Sequence, residues 1–511
     1  MAQISVNNLT FCYEGSFDNI FEKVSFSVDT NWKLGFIGRN GKGKTTFLNI
    51  LLGKYSYQGN IIATNTFDYF PYDISGENMS RCAVDFIYEI KQNSELWKVI
   101  CELDKLNVEE EVLYRPYRTL SHGERTKVML AILFSRENDF LLIDEPTNHL
   151  DKESREIVKA YLQQKKSFIL VSHDRDLLDA CVDHVLVLNR NSIEVQSGNF
   201  TSWWDNKYRK DICAVRENEK HKKEINKLKV AARRASSWAE KSDGRKIGYD
   251  PIKENDRSIA TRSYIGAKTK KMQKRVKQLN ARIDKEIADK EGLLQDIEEM
   301  VDIKVNPLKH HKNVLCSMKD FGLKYKDADK SLFENLDMQI CQNDRIFLNG
   351  ANGCGKSSLI KVILKHMLKE DISELNIEES GIIETASGII VSYVNQDTSF
   401  LKGNIEDYCI KNGIDRSLFC ALLRQLDMER VQFTKNMEDF SEGQKKKVLI
   451  ASSLSIPAHI YIWDEPLNYI DVYARMQIEK LILEYKPTML LVEHDVRFRE
   501  EIATKQIEMN Q

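Results

Sequence analysis

Two stretches of the sequence match GxxxxGK[ST]: GRNGKGKT at 38–45 and GANGCGKS at 350–357. A glycine-rich turn that leads into a helix turns backbone amides toward phosphate oxygens, and the helix N-terminus favours the negative charge. Lys44 and Lys356 would reach the β- and γ-phosphates of ATP, and the Thr45 and Ser357 hydroxyls would bind Mg2+. Gly38, Asn40, Gly41, Gly43 and Thr46 complete the first cradle; Gly350, Asn352, Gly353, Gly355 and Ser358 complete the second. One match is moderate evidence against a plain strand-to-helix turn. Two in register, each followed by an apolar run ending in Asp-Glu, are strong. Those runs are LLIDEP at 141–146 and IYIWDEP at 460–466. Asp144 and Asp464 would hold Mg2+ through water, while Glu145 and Glu465 would polarise the attacking water. His173 and His494 each follow an apolar strand and would contact the γ-phosphate. A lone histidine is more often structural, but the matched pair reverses that reading. Tyr13 and Tyr325 stand at equal distances before the two loops and would stack on adenine, the plainer alternative being core aromatics. Cys354, inside the second loop, reads as a small tolerated residue.

These pairs belong to a longer series. LSHGERTKV at 120–128 recurs as FSEGQKKKV at 440–448, IDEPTNHLD at 143–151 as WDEPLNYID at 463–471, and LVSHD at 170–174 as LVEHD at 491–495. Five elements in the same order at a nearly constant offset mean two copies of one domain. Short β-rich apolar runs alternate with amphipathic segments in each copy, the pattern of an α/β domain with a parallel sheet delivering carboxylates to its C-terminal edge.

The elements that position these residues fall into three spans: a first nucleotide-binding domain at 1–202, an insert at 203–304 and a second domain at 305–511. In the insert, Met272, Val276, Leu279, Ile283 and Ile287 step by three or four, a helical stripe; Ile212, Val215, Ile225, Leu228 and Ala235 form a looser one. Between them KSDGRKIGYDPIKENDRS breaks the helix. The spacing predicts a long α-helical hairpin. From Lys207 to Lys290 there are 26 Lys+Arg against 12 Asp+Glu, in a chain whose net charge is −2. That excess suits a phosphate backbone, and aromatics among cations suit unpaired RNA bases. The candidate RNA-binding residues are Trp238, Arg245, Lys246, Tyr249, Tyr264, Lys268, Lys270, Lys271, Lys274 and Arg275. A solvated coiled-coil spacer is the plain alternative.

The chain has 511 residues, 42% hydrophobic and 30% charged, ordinary values for globular domains and enough for several. The longest apolar runs fall short of the roughly 18 residues needed to cross a bilayer. The N-terminus lacks the basic-then-apolar layout of a secretory signal. Ten scattered cysteines without a CxxC pair fit a reducing cytosol better than a zinc or disulfide framework. A cytoplasmic location with no membrane partner is expected.

The order aromatic, GxxxxGK[ST], [LF]SxG[EQ], apolar-DE-P, Asp and His resembles the ATP-binding cassette nucleotide-binding domain. DEPTNHLD is similar to the form taken in the F subfamily, tandem cassettes that act on ribosomes. The resemblance implies a P-loop ATPase whose two domains pair head to tail within one monomer. Ser121 and Gly123 would then close on ATP at Lys356, and Ser441 and Gly443 on ATP at Lys44. It also implies Gln396 as a Mg2+ and nucleotide ligand. Tyr72 stands at that place in copy one, and His122 and Glu442 replace a signature glycine, so the two sites are expected to be unequal. RSYIGAKTKKMQKR at 262–275 and the WDEPLNYID spelling resemble the antibiotic-resistance branch, whose members protect the peptidyl-transferase centre from drugs such as lincosamides. The short spans after Tyr72 and after His494 leave little room for that family's optional arm and C-terminal extension. The implied partners are the ribosome's large-subunit rRNA and the P-site tRNA, with docking in the E site. A housekeeping translation or assembly factor is the alternative, and a transporter ATPase subunit a lower one.

Overall fold

The computed structural model describes residues 3–13, 19–74, 76–91, 94–136, 139–148, 150–189, 192–244, 270–271, 274–279, 281–283, 285, 306–326, 330–351, 353–369 and 376–509. In copy one, six strands lie in the order Thr66–Phe70, Asp139–Asp144, Phe168–Val171, Lys33–Gly38, His184–Leu188 and Ile193–Ser197. The first five are parallel and the last is antiparallel. Copy two repeats the arrangement with five parallel strands: Val391–Val394, Ile460–Asp464, Met489–Val492, Arg345–Asn349 and Lys505–Glu508. A parallel sheet is covered on both faces, which is why Phe140–Ile143 and Ile460–Trp463 are unbroken apolar runs, fully buried. Trp463, the larger residue where copy one has Ile143, donates its indole N–H to Ser453 Oγ at 2.9 Å, so its polar edge is satisfied inside the core.

A second, antiparallel sheet accompanies each parallel one. It comprises Phe21–Asp29, Gln3–Phe11 and Gln58–Ile62 in copy one, and Ser331–Cys341, Val314–Tyr325 and Ile377–Thr385 in copy two. The helix Lys44–Leu51 lies in the same core as both sheets, with Val6, Leu9, Phe21, Phe36, Phe47, Leu48 and Leu142 packed together. The Phe47 ring meets Phe21 and Phe36 edge-on at 5.9 and 5.4 Å. Truncating such a side chain costs about 3–5 kcal/mol. The phosphate-binding loop is therefore anchored by a buried aromatic three residues beyond Lys44.

The insert is helical where described. One helix of 45 residues runs from Phe200 to Gly244, about 68 Å at 1.5 Å per residue. It begins before the insert's expected start at 203 and runs into the KSDG stretch expected to break it. Residues 270–271, 274–279, 281–283 and 285 are also helical. The expected upstream stripe needs correction. Val215 is exposed, and the face turned inward runs Ala214, Asn218, His221, Ile225, Leu228 and Ala232, with Ala214 and Ile225 fully buried. Those steps of four and three follow the ordinary helix period, so the inward face is a regular helical stripe. Downstream, Ile283 is buried, Val276 is partly so and Leu279 is exposed. Residues 204–300 form one compact unit; residues 1–203 with 301–511 form another.

Candidate nucleotide sites

Both glycine-rich loops close through left-handed glycines. Gly43 at φ 106° and Gly355 at φ 98° cap the helices Lys44–Leu51 and Lys356–Leu368. A Cβ on Gly43 would lie 2.6 Å from the Ile20 side chain, so only glycine brings the backbone this close. Lys44 Nζ donates to Gly38 O at 2.6 Å and Asn40 Oδ1 at 3.1 Å. Lys356 Nζ donates to Gly350 O and Ala351 O, each at 2.8 Å. Both ammoniums thus lie folded over their own loops, within reach of the space the loops enclose. Asn352 lies outside the described residues. Gly41 and Gly353 have left-handed backbones with open space where a Cβ would be. Tyr13 and Tyr325 share one arrangement. Each hydroxyl lies 2.8 Å from the hydroxyl after the loop, Thr46 Oγ1 or Ser358 Oγ, and each ring stays largely exposed. Each ring is tethered at its hydroxyl, and Tyr13 also packs at near right angles to Phe11 and Tyr55, with centroids 5.2 and 5.8 Å away.

The strand ends deliver the acids. Thr45 Oγ1 donates to Asp144 Oδ2 at 3.2 Å, and Ser357 bonds Asp464 in the same way. Asp464 Oδ1 is buried with no hydrogen-bond partner. A hydroxyl and a carboxylate side by side, with an unsatisfied buried oxygen, are the oxygen donor set Mg2+ takes. Glu145 and Glu465 both adopt left-handed backbones, at φ 52° and 47°, unusual outside glycine. Each is held there by its own N–H, donated to Val171 O at 2.8 Å or Val492 O at 2.9 Å. The same strain at matched positions in both copies aims each carboxylate toward a histidine. His173 Nε2 lies 3.4 Å from Glu145 Oε1, and His494 Nε2 lies 3.7 Å from Glu465 Oε1.

The electrostatics of the two glutamates diverge. Burial, with the adjacent Asp144 charge, pushes the Glu145 carboxyl up to about 8, against the pull of Arg475 and Lys44. Burial also raises Glu465, but the hydrogen bond and charge of His494, with Gln396 and Asn468, outweigh it and hold Glu465 at about 2. His173 is pushed well down by burial and by the Lys44 and Arg475 charges. The departure at Tyr72 explains part of the difference. Gln396 is hydrogen-bonded to Glu465. Tyr72 instead donates to Asp68 Oδ2 at 2.7 Å, beside buried Lys91. Tyr69 donates to Asp144 Oδ2 at 3.2 Å. Copy one therefore has a phenol on its metal-side carboxylate where copy two has an amide on its glutamate.

The two copies face one another, and the first site is composite. Asn40 Nδ2 donates to Tyr469 O at 2.8 Å, and a Cβ on Gly443 would lie 2.5 Å from that carbonyl and 3.4 Å from Asn40. Arg39 pairs with Asp427, and Lys42 Nζ with Glu429 at 2.5 Å. Asp471 and Arg475 of copy two bear on Lys44, Glu145 and His173. Reciprocally, Arg155 donates to His494 O at 3.5 Å, and the Asp151 charge faces His494. Ser441 and Ser121 each cap the helix behind the signature. Ser441 accepts from Gln444 N and Ser121 from Glu124 N, while Gln444 and Glu124 return bonds to the capping residues' own N–H groups. The S-x-x-[EQ] of both signatures is thus a capping box, legible in the sequence. Among the described residues, the side chains that a Cβ on Gly123 would meet first are Ser154 and Leu150, from its own copy.

Sequence reasoning missed Arg39, Lys42, Tyr69, Asp471 and Tyr473. A signal existed for the first two: aligned against the second loop they stand opposite Ala351 and Cys354. Of the candidate RNA-binding residues, Lys270, Lys271, Lys274 and Arg275 are helical, the latter two and the former two all exposed. Trp238 lies in the long helix with its side chain outside the described residues. Arg245, Lys246, Tyr249, Tyr264 and Lys268 also lie outside them.

A family model for the ABC transporter matches residues 21–148 and 333–468. The chain belongs to that family: it is an ATPase built from two tandem cassettes, and the F-subfamily resemblance of its motifs holds. The ribosome protection protein VmlR of Bacillus subtilis is 26% identical, over 97% of this chain and 85% of that protein. The ATP-binding protein Uup of Buchnera aphidicola is 28% identical, over 99% and 80%. Among solved structures, the complex of archaeal ribosomal stalk protein aP1 with the ribosome recycling factor aABCE1 matches with a TM-score of 0.63 at 18% identity. It covers 98% of this chain and 87% of that one, a likeness of fold. No helix among the described residues is long and apolar enough to cross a membrane.

Proposed function

We propose that this ATPase acts on the ribosome. ATP draws the two cassettes together, and the closed pair sets the basic helical insert against RNA and tRNA near the peptidyl-transferase centre, from the E site. What carries the reading is the composite site, in which one copy's loop already meets the other's signature at Asn40, Tyr469 and Gly443. The exposed cations at 270–275 support the RNA contact. The name of the VmlR relative, a ribosome protection protein, supports protection of the ribosome as the outcome, and the motif resemblance to the antibiotic-resistance branch supports a bound drug as the threat. A cytoplasmic location follows from this reading.

Within each site, Lys44 or Lys356 leaves its loop carbonyl for phosphate oxygens, and the loop amides take up the remaining charge. Thr45 with Asp144, and Ser357 with Asp464 and Gln396, would hold Mg2+, which when bound neutralises charge on the β- and γ-phosphates. Glu145 and Glu465 orient the attacking water. His173 and His494 fix the glutamates and lie beside the γ-phosphate. Ser441 and Gly443 complete the Lys44 site; Ser121 and Gly123 complete the Lys356 site.

The test is a Glu145→Gln/Glu465→Gln double variant, which keeps the shape of both glutamates and removes their charge. With ATP it sediments with ribosomes; sedimentation as free protein in ATP contradicts the reading. The drug role has its own test. Deleting the gene raises lincosamide susceptibility, whereas unchanged susceptibility with altered polysomes marks a housekeeping translation factor.

A further inference from the structure

Arg39 sits between Gly38 and Asn40, the two residues that hold the Lys44 ammonium. Its guanidinium pairs with Asp427 and lies over the Tyr473 ring, 5.5 Å from the centroid. The same Tyr473 ring meets Trp203 edge-on, with centroids 6.2 Å apart and planes at 88°. Trp203 is buried in the first turn of the long helix Phe200–Gly244, beside Phe200. Three side chains therefore join the first phosphate loop to the root of the insert. When Lys44 exchanges Gly38 O and Asn40 Oδ1 for phosphate oxygens, the residues on both sides of Arg39 change partners.

The second loop lacks the matching residues. Ala351 stands where Arg39 does, Cys354 where Lys42 does, and Asn107 where Asp427 does. The root has another tether: Arg497 of copy two donates to Thr201 Oγ1 at 3.0 Å and pairs with Asp179, which also accepts from Thr201 N at 2.7 Å. Among the described residues that tether has no contact with either phosphate loop.

We propose that Arg39 is a positioning residue that couples occupancy of the Lys44 site to the root of the insert through Tyr473 and Trp203, and that the Lys356 site lacks this line. The proposal rests on ATP binding at Lys44 and does not require the ribosome reading, so the isolated full-length protein tests it. Amide exchange of the segment around 200–206 is followed with and without Mg2+ and ATP. In Lys356→Ala, which leaves the Lys44 site intact, ATP slows exchange there about threefold or more, while in Lys44→Ala the change is a small fraction of that. Adding Arg39→Ala to Lys356→Ala abolishes the slowing, with binding of a fluorescent ATP analogue retained. Tyr473→Phe, which keeps the ring, keeps the slowing, and Tyr473→Leu loses it. Should Arg39→Ala also weaken ATP binding, the Tyr473 pair decides, because neither change alters a residue of the loop and both variants are checked for retained binding of the same analogue. Equal slowing from either site, or slowing that survives Tyr473→Leu, overturns the proposal.

Discussion

The seam between the cassettes holds a buried ion pair whose removal has a calculable cost. Arg175 donates from Nη1 to Glu479 Oε2 at 3.0 Å, and its Nη2 pairs with the other carboxylate oxygen. Both residues, and Asp495 beside them, are more than nine-tenths buried. At about 3 Å and an effective dielectric of about 20, the gross attraction is about 5 kcal/mol, much of it spent on desolvating the two charges. Burial raises the Glu479 carboxyl despite Arg175, so desolvation dominates there. Arg175→Ala leaves Glu479 facing Asp495 without its cation, and stability falls by about 3–5 kcal/mol. Glu479→Ala costs less, because Arg175 retains Asp495 at 3.8 Å. Replacing both with apolar residues, Arg175→Met with Glu479→Leu, leaves no orphan charge and lands within about 1 kcal/mol of the wild type. Measured against the matching single variants, Arg175→Met and Glu479→Leu, the double variant is more stable than the sum of their costs by at least about 2–4 kcal/mol. Urea unfolding followed by tryptophan fluorescence measures it, Trp463 being buried in the copy-two sheet. A double variant as unstable as the sum of the singles, or an Arg175→Ala cost under about 1 kcal/mol, refutes this account.

Three further outcomes are expected. Lys447 and Asp471 form a buried pair at 2.8 Å. Burial opposes the Asp471 charge, but Lys447 and the Ala474 N–H hold its carboxyl far below the usual range. Its contribution is present above the unfolded carboxyl pKa of about 3.9 and lost as pH falls below that. The stability difference between wild type and Asp471→Asn is therefore about 3–5 kcal/mol, flat from roughly pH 8 to 5, and shrinks below roughly pH 4 in denaturant titrations. Gly443→Ala places a Cβ 2.5 Å from Tyr469 O at the seam and lowers the ATPase kcat by an order of magnitude or more, about 1.4 kcal/mol per factor of ten. Gly123→Ala meets nothing nearer than the Ser154 hydroxyl at 3.3 Å among the described residues and lowers kcat far less. Replacing Lys270, Lys271, Lys274 and Arg275 together with glutamine flattens the salt dependence of ribosome binding by a log–log slope of roughly 3–4, about 0.7–0.9 per lost phosphate contact.

Local chemistry made much of the molecule legible before its structure. A phosphate cradle needs glycines, a lysine and a hydroxyl at set spacings, and a strand covered on both faces needs an apolar run. Motif positions and repeat offsets therefore exposed both loops, both Asp-Glu strand ends, both signature serines and the doubled α/β domain. The long helix was visible in its composition. Its inward face was misplaced at Val215, because the face turned inward passes through Ala214, Asn218 and His221 rather than through the most apolar residues.

Other features arise only from contacts between residues hundreds of positions apart. The amino-acid series names Glu145 and Glu465 as equals, yet Gln396, Asn468 and His494 surround one carboxylate while Arg475, from the opposite copy, faces the other. Arg39 is an unremarkable loop position until folding lays it against Asp427 and Tyr473. Spacing along the chain encodes what each segment can bind, because a loop's amides and side chains are local. Which site is pinned at the seam, and which is joined to the helical insert, is decided by surfaces that exist only once the two copies have packed together.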